Sequence, residues 1–294
     1  MRVGLIGFGK AGTAVAGVIA NNPNMSLEWV IRKSDTLEHR SIPEFFGLQS
    51  ASPAIIYPVS EFPIGTLLDQ HPVDTIIDFS SEEGLDYYGD EAAARKINVI
   101  SAISHYSEVK QLKLHELSTQ TAILWSPNIT IGINFLILAA QTLRRIAPGI
   151  DIEIVEEHFK KKMEVSGTAR IIADSLGVDS SDVKSVRAGG IIGVHEVLFG
   201  FPSQTVRLRH ESISRDAFGD GAVFAAERLE GMWPGLYKME DLLLPFFGDD
   251  QSRKESRMHD RKVRLERLRN PRSTRNPLLE SRLGESRSGP VGIG

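Results

Sequence analysis

Between residues 156 and 169 the chain strings together Glu156-Glu157-His158-Phe159-Lys160-Lys161-Lys162-Met163-Glu164-Val165-Ser166-Gly167-Thr168-Ala169. An imidazole at His158 can exchange a proton near neutral pH, and Lys162 adds a fixed positive charge. Ser166-Gly167-Thr168 opens a helical pattern, where free backbone amides and two hydroxyls make a natural carboxylate site. Together these groups suit a small dicarboxylate that receives a hydride and then a proton. A charged loop followed by an ordinary helix cap fits the same residues, and composition alone leaves both readings open.

A second constellation lies at the start. Gly7-Phe8-Gly9-Lys10-Ala11-Gly12 reads G-x-G-x-x-G, directly after the apolar run Val3–Ile6 and before a helical stretch. Glycines there allow a tight turn, close backbone approach to a pyrophosphate and close helix–strand packing, with the helix N-terminus facing the anion. Glycines also make ordinary turns. The position at a first strand–helix junction is what points to a dinucleotide. After the next strand, LEWVI, come Arg32 and Lys33, with Asp35 two positions on. Two cations at that place suit the 2′-phosphate of NADPH, with NADH as the alternative cofactor; a solvated basic turn is the plain alternative.

The elements that must position these groups alternate. Strands are expected at Val3–Ile6, Leu27–Ile31, Thr75–Phe79, Asn98–Ser101 and Ala122–Trp125, with helices over Thr13–Ala20, Glu83–Lys96 and Tyr106–Ser118. That order predicts a doubly wound parallel sheet. After the Ser126-Pro127-Asn128 loop the pattern changes. Gly132–Ile146 is a long apolar helix, and Asp151–Glu156 alternates as a half-exposed strand. A helix over Ala169–Leu176 and strands at Val183–Arg187, Ile191–Phe199 and Thr205–Ser212 follow, which predicts a mixed or antiparallel sheet with one open face. Gly221–Glu230 reads as a helix returning to the first domain. The expected division is 1–127 with 217–247 for nucleotide binding, 128–216 as a second, α+β domain, and 248–294 as a tail.

Composition excludes several classes. The 294 residues are 41% hydrophobic and 24% charged, with no cysteine, so disulfides, thiolate nucleophiles and cysteine-bound metals are ruled out. No apolar run is long enough to span a bilayer, and the N-terminus lacks the features of an export signal; a cytoplasmic chain without a membrane partner is expected. The net charge is −4, yet Gly248–Gly294 carries 12 Lys+Arg against 7 Asp+Glu and no aromatic residue. Such a segment cannot bury enough apolar surface to offset its ordering entropy, so a disordered extension is expected. A basic arm for nucleic acid or a protein partner is the competing reading of the tail, and the acidic remainder argues against nucleic acid. His71, His115 and His210 lack metal-ligand spacing, so no metal is implied. His195-Glu196 reads as ordering a sheet. Trp29, Trp125 and Trp233 read as packing residues.

The segment from Glu156 resembles the signature of 4-hydroxy-tetrahydrodipicolinate (dihydrodipicolinate) reductases, E-x-H-H-x-x-K-x-D-x-P-S-G-T-A, through Glu156, His158, Lys162 and Ser166-Gly167-Thr168-Ala169. The resemblance runs over roughly Met1–Phe247, through Ile77-Asp78-Phe79-Ser80, Ser126-Pro127-Asn128 with Gly132 and Asn134, Arg187–Glu196, Arg215 and Gly221-Ala222. It implies a Rossmann domain joined to a mixed-sheet domain that binds substrate and builds a homotetramer. It also implies reduction of the cyclic substrate to tetrahydrodipicolinate, with loss of water, on the diaminopimelate route to lysine. By position His158 takes the acid/base role, Lys162 the proton-donor and substrate role, and Ser166, Gly167 and Thr168 the substrate carboxylate. Phe79, Ser80, Ala102, Ser104, Ser126 and Asn128 lie along the cofactor.

Departures accompany the matches. The family's second histidine, a substrate contact, is Phe159 here, and its aspartate is Glu164. A residue is missing where proline precedes the serine. Its Gly-Thr-Thr-Gly loop aligns with Ala102-Ile103-Ser104-His105, and the glycine turn is one residue shorter than is common. His105 is a candidate replacement for the lost histidine. A paralogous NAD(P)H oxidoreductase acting on another imine or unsaturated carboxylate, and a non-catalytic NADP(H)-binding protein, remain as alternative expectations.

Overall fold

The computed structural model describes residues 1–49 and 52–248. Contacts divide the chain into Met1–Leu244 and Pro245–Gly294. The expectations for the tail fall, past Gly248, outside the described residues.

In chain order the elements are β1 (Arg2–Ile6), α1 (Lys10–Ala20), β2 (Ser26–Arg32), α2 (Ile42–Phe46), β3 (Ile55–Pro58), α3 (Ile64–Gln70), β4 (Thr75–Asp78), α4 (Gly84–Ala94), β5 (Asn98–Ser101), α5 (Glu108–Leu117) and β6 (Ala122–Trp125). Then come α6 (Ile131–Ile146), β7 (Asp151–His158), α7 (Gly167–Leu176), β8 (Lys184–Arg187), β9 (Val194–Gly200), β10 (Thr205–Glu211), α8 (Asp216–Leu229), β11 (Gly235–Tyr237) and α9 (Met239–Leu243). Three elements of the first half, α2, β3 and α3, and two after α8, β11 and α9, were not expected from sequence. Each is seven residues or shorter, too short to show a clear period.

Seven strands form a sheet in the order β11-β6-β5-β4-β1-β2-β3, every neighbouring pair parallel. Within it is the 3-2-1-4-5-6 order of the Rossmann fold, whose direction of winding reverses at β1. The strands are near-continuous apolar runs because both faces are covered. On one face Val3 and Leu5 meet Val15, Ala16 and Ile19 of α1 and Ala222, Ala225 and Leu229 of α8. On the other, Ile6, Trp29 and Ile76 meet Leu67 of α3, Leu85 and Tyr88 of α4 and Leu114 of α5. Helix α8 packs on α1, and β11 extends the sheet beyond β6.

The second sheet is mixed, in the order β10-β9-β7-β8, antiparallel except for β7–β8. Helices α6 and α7 cover one face, around Ile154, Val197 and Phe199. The uncovered face pairs charges instead, Arg209 with Glu157 and Arg207 with Glu196. Successive rows across the covered face change character. Val206–Phe199–Ile152 and Leu208–Val197–Ile154 are apolar, whereas the next row is His210–His195–Glu156–Ser185.

No helix among the described residues is long and apolar enough to cross a membrane. Of the three tryptophans, Trp29 is fully buried and donates its indole N–H to the His71 carbonyl at 3.0 Å. Trp125 packs edge-on against Tyr106. Trp233 is 62% exposed, which corrects its reading as a packing residue: it sits in the α8–β11 connection, outside either core. Removing the Trp29 side chain leaves a void in the β2–α3 layer, and Trp29→Ala is expected to cost about 3–5 kcal/mol of stability in denaturant titrations.

Candidate active site

The first part of the site is the turn at the sheet's reversal. Gly7 has φ +95°, and a side chain there would reach the Phe79 backbone at 2.7 Å. A side chain on Gly12 would fall on the Gly7 carbonyl. Gly9 faces open space, which is what a phosphate approaching backbone amides requires. The first turn of α1 holds no acidic residue.

Next to this turn is a cavity of about 550 Å³, lined by Gly7, Phe8 and Gly9, by Arg32, Lys33 and Ser34 after β2, and by Phe79, Ser80 and Glu83 after β4. Asp78 fixes that last turn. Its carboxyl is fully buried and accepts the Ser80 amide at 2.8 Å, the Ser80 hydroxyl at 2.6 Å and the Tyr88 hydroxyl at 2.9 Å. Burial pushes its pKa up to about 6 against the opposing hydrogen bonds.

Phe79 also lines a second cavity, of about 310 Å³, with Ala11, Ala102, Asn128, Thr130, His158, Thr168, Gly193, His195, His210 and Phe218 among its walls. Here β7 and its loop meet the α6 and α7 starts. Asn128 donates to the Thr168 hydroxyl at 3.0 Å and accepts the Thr130 amide and hydroxyl. Asn134, in the first turns of α6, holds the Asn128 and Thr130 carbonyls at 2.7 and 2.8 Å. Ser166 caps α7 through the Ala169 amide.

His158 sits beside this cavity with its Nδ1 bonded to Glu156. The Glu156 carboxylate is fully buried and accepts Ser185 at 2.6 Å and Arg187 at 2.5 Å. Burial raises its pKa, but Arg187, Ser185 and His158 outweigh burial and hold it below the usual value. An ionised carboxylate only accepts, so the His158 proton is on Nδ1 and Nε2 keeps a free lone pair. A Gly193 side chain would press on that Nε2, at 3.1 Å; glycine leaves it accessible. Burial lowers the His158 pKa, with Lys162 and Arg187 pushing the same way against Glu156. Arg187 also donates to the Lys162 and Glu164 carbonyls, both at 2.9 Å, and so anchors the loop that carries Lys162.

The structure therefore brings Ala11, Phe79, Ala102, Asn128, His158 and Thr168 to one cavity, and Gly7, Phe8, Gly9, Arg32, Lys33, Phe79 and Ser80 to the other. Gly12, Ser126 and Ser166 are buried and line neither cavity. Lys10, Ser104 and Gly167 are exposed and line neither. Half-buried Lys162 lies outside the cavity lining but close enough to act on His158. Phe159 is 44% exposed and outside the walls, as is His105. His195, in its sheet as expected, and His210 also line the cavity, which their sequence readings do not include. Their period-two spacing from Val197 and Leu208 on strands already expected was the available signal. Among the described residues no group of three or more His, Cys, Asp or Glu side chains is arranged for a metal ion.

A Rossmann sheet that shares one aromatic residue with a chamber of ionisable side chains defines the class: a dinucleotide-binding oxidoreductase. Residues 1–129 match the family model for the N-terminus of dihydrodipicolinate reductase, and residues 130–243 that for its C-terminus. The chain belongs to the dihydrodipicolinate reductase family. It is 35% identical over 207 positions to the 4-hydroxy-tetrahydrodipicolinate reductase of Caldanaerobacter subterraneus, covering 62% of this chain and 82% of that protein. It is 27% identical to that of Hahella chejuensis, covering 82% and 98%. A dipicolinate-bound dihydrodipicolinate reductase from a Paenisporosarcina species shares the fold, with a TM-score of 0.69, 21% identity and coverage of 82% of this chain and 98% of that one.

Asp78 generates a pH prediction. With a folded pKa of about 6 against 3.8, the folded state holds its proton longer, so stability is lost as pH rises between those values. This amounts to on the order of 3 kcal/mol. In Asp78→Asn the loss is absent. The melting temperature of the unmodified chain relative to the variant is expected to fall from pH 4 to pH 7.

Proposed function

We propose that this chain reduces 4-hydroxy-tetrahydrodipicolinate to tetrahydrodipicolinate, a step of the diaminopimelate route to lysine, with NADPH as hydride donor. The observation that carries this reading is the cavity shared by Phe79, His158 and Thr168. Residues 1–127 with 217–247 serve the nucleotide and 128–216 the substrate and assembly into a homotetramer. The open glycine turn and the neighbouring cavity fit a dinucleotide: Gly7, Phe8, Gly9, Ala11 and Ser80 would flank its phosphates, with Phe79, Ala102 and Asn128 towards the nicotinamide. When bound, NADPH supplies the hydride.

Thr168, with the Ser166-Gly167 start of α7, holds a substrate carboxylate. A hydride and a proton enter and water leaves, so the chain must hold one proton in place. With burial lowering its pKa, His158 is largely neutral at pH 7, and its Nε2 accepts. Lys162, charged and anchored through Arg187, is the proton donor. Phe159 favours a second reading, in which the same site takes another imine or unsaturated carboxylate. Turnover of substrate generated from pyruvate and aspartate semialdehyde tests the first reading; no NADPH or NADH oxidation there would favour the second.

Lys162→Ala and His158→Ala are each expected to lower kcat by roughly 10²–10⁴-fold with little change in cofactor affinity. Lys160→Ala and Lys161→Ala, at exposed neighbours, serve as controls. Four similar effects in stopped-flow turnover would show a generic basic patch.

Arg32 and Lys33 line the cofactor cavity, and Arg32 is held by the Thr36 carbonyl at 2.8 Å. Replacing both by alanine is expected to weaken NADPH binding while leaving NADH nearly unchanged, measured by fluorescence titration. Equal losses would remove them from 2′-phosphate recognition.

A further inference from the structure

The chamber holds more imidazole than the proposed reaction uses. His195 and His210 are directly paired across β9 and β10, and His195 pairs on its other side with Glu156 of β7. The sheet's side-chain alternation therefore turns all three onto the covered face, in the row next to His158. The His195 ring lies 5.4 Å from that of His158. His195 is only 5% exposed, and both it and His210 line the cavity.

The bond between Ser166 and His195 links the ring's tautomer to which of the two groups donates. The His195 Nε2 lies 2.9 Å from the Ser166 hydroxyl, which already accepts the Ala169 amide at 3.0 Å. The hydroxyl has one proton, and donating it to Nε2 pairs every group there. The ring N–H is then on Nδ1. Burial, with His158 next, lowers the ring's pKa to about 4, so this form persists at neutral pH. Yet Nδ1 is buried without a hydrogen-bond partner, and so is Nδ1 of His210. Buried polar atoms are rarely left so. Both atoms are closed off from solvent yet belong to cross-strand neighbours that line the cavity, so a ligand that completes them reaches them by a small turn of the rings.

We propose that His195 is a substrate-contacting residue, its Nδ1–H donating to a carboxylate or carbonyl oxygen of the substrate, with His210 beside it on the same wall. The assignment rests on the reductase reading above. It accounts for a chamber whose residue 159 is a half-exposed phenylalanine outside the walls: the sheet supplies a polar contact that this position does not.

Two amide variants separate contact from support. Asn places its amide near the Nδ1 position of histidine, and Gln near Nε2. His195→Asn keeps the donor to the chamber and loses the Ser166 bond; His195→Gln does the reverse. Dipicolinate affinity by calorimetry with NADPH present, and substrate KM, are the readouts. His195→Gln is expected to weaken both about ten- to a hundredfold, with NADPH affinity unchanged, and His195→Asn to weaken them clearly less. The opposite ranking, or equal losses, overturns the contact and leaves only support of Ser166. Should either variant fail to fold, nitrogen-15 NMR of the unmodified chain decides. The Nδ1–H tautomer with a resonance that moves on adding dipicolinate is expected; the Nε2–H tautomer, or no response, overturns the proposal. An unmodified chain that binds NADPH but neither binds dipicolinate nor turns over substrate would instead defeat the reductase reading itself.

Discussion

A single buried carboxylate organises the mixed-sheet part of the molecule. Glu156 is fully enclosed, and such a charge is tolerated only when its lone pairs are filled. Here Ser185, Arg187 and His158 fill them. The consequence reaches in two directions. Towards the chamber, the carboxylate sets which nitrogen of His158 carries the proton. Away from it, the guanidinium that neutralises Glu156 also binds the Lys162 and Glu164 carbonyls, so the charge that needs a partner and the loop that needs an anchor are satisfied by one side chain.

The glycine turn of the parallel sheet rests on steric exclusion more than on charge. Gly12 passes against the Gly7 carbonyl, Gly7 against the Phe79 backbone, and Asp78 ties the Phe79-Ser80 turn to Tyr88. The ends of β1 and β4 are thereby locked at the reversal of the sheet, and Phe79 is left as the wall common to both cavities.

Much of this was legible in the sequence, for identifiable reasons. Asn98–Ser101 and Ala122–Trp125 match their strands to the residue because apolar runs between turn residues have sharp ends. The glycine turn, the His158–Thr168 cluster and the loop at Asn128 are runs of consecutive residues, which one-dimensional reading handles well, and each reaches a cavity. His195 and His210 do not. Each looks like a solitary histidine in a strand, and only pairing β9 with both β7 and β10 puts them in one row with Glu156. The Arg187 bridge was hidden for the same reason, since its partners lie in β7 and the following loop. Trp233 misled because tryptophan is so often a core residue, while this one sits in a connection.

The covered face of the mixed sheet passes from apolar rows to ionisable rows within four residues of each strand. Because side chains alternate with a period of exactly two, sliding β7 by one place would turn Glu157 and Phe159 inward and expel Glu156 and His158 to the charged exterior. Arg187 would then face Glu157 in place of Glu156, but Phe159 would stand where His158 does, and the helices would close over Glu153 in the apolar row of Ile152, a carboxylate with no cation. A misaligned sheet is thus not a slightly weaker enzyme but an uncloseable one, so chains that reach the packed state arrive with their reactive groups already in register.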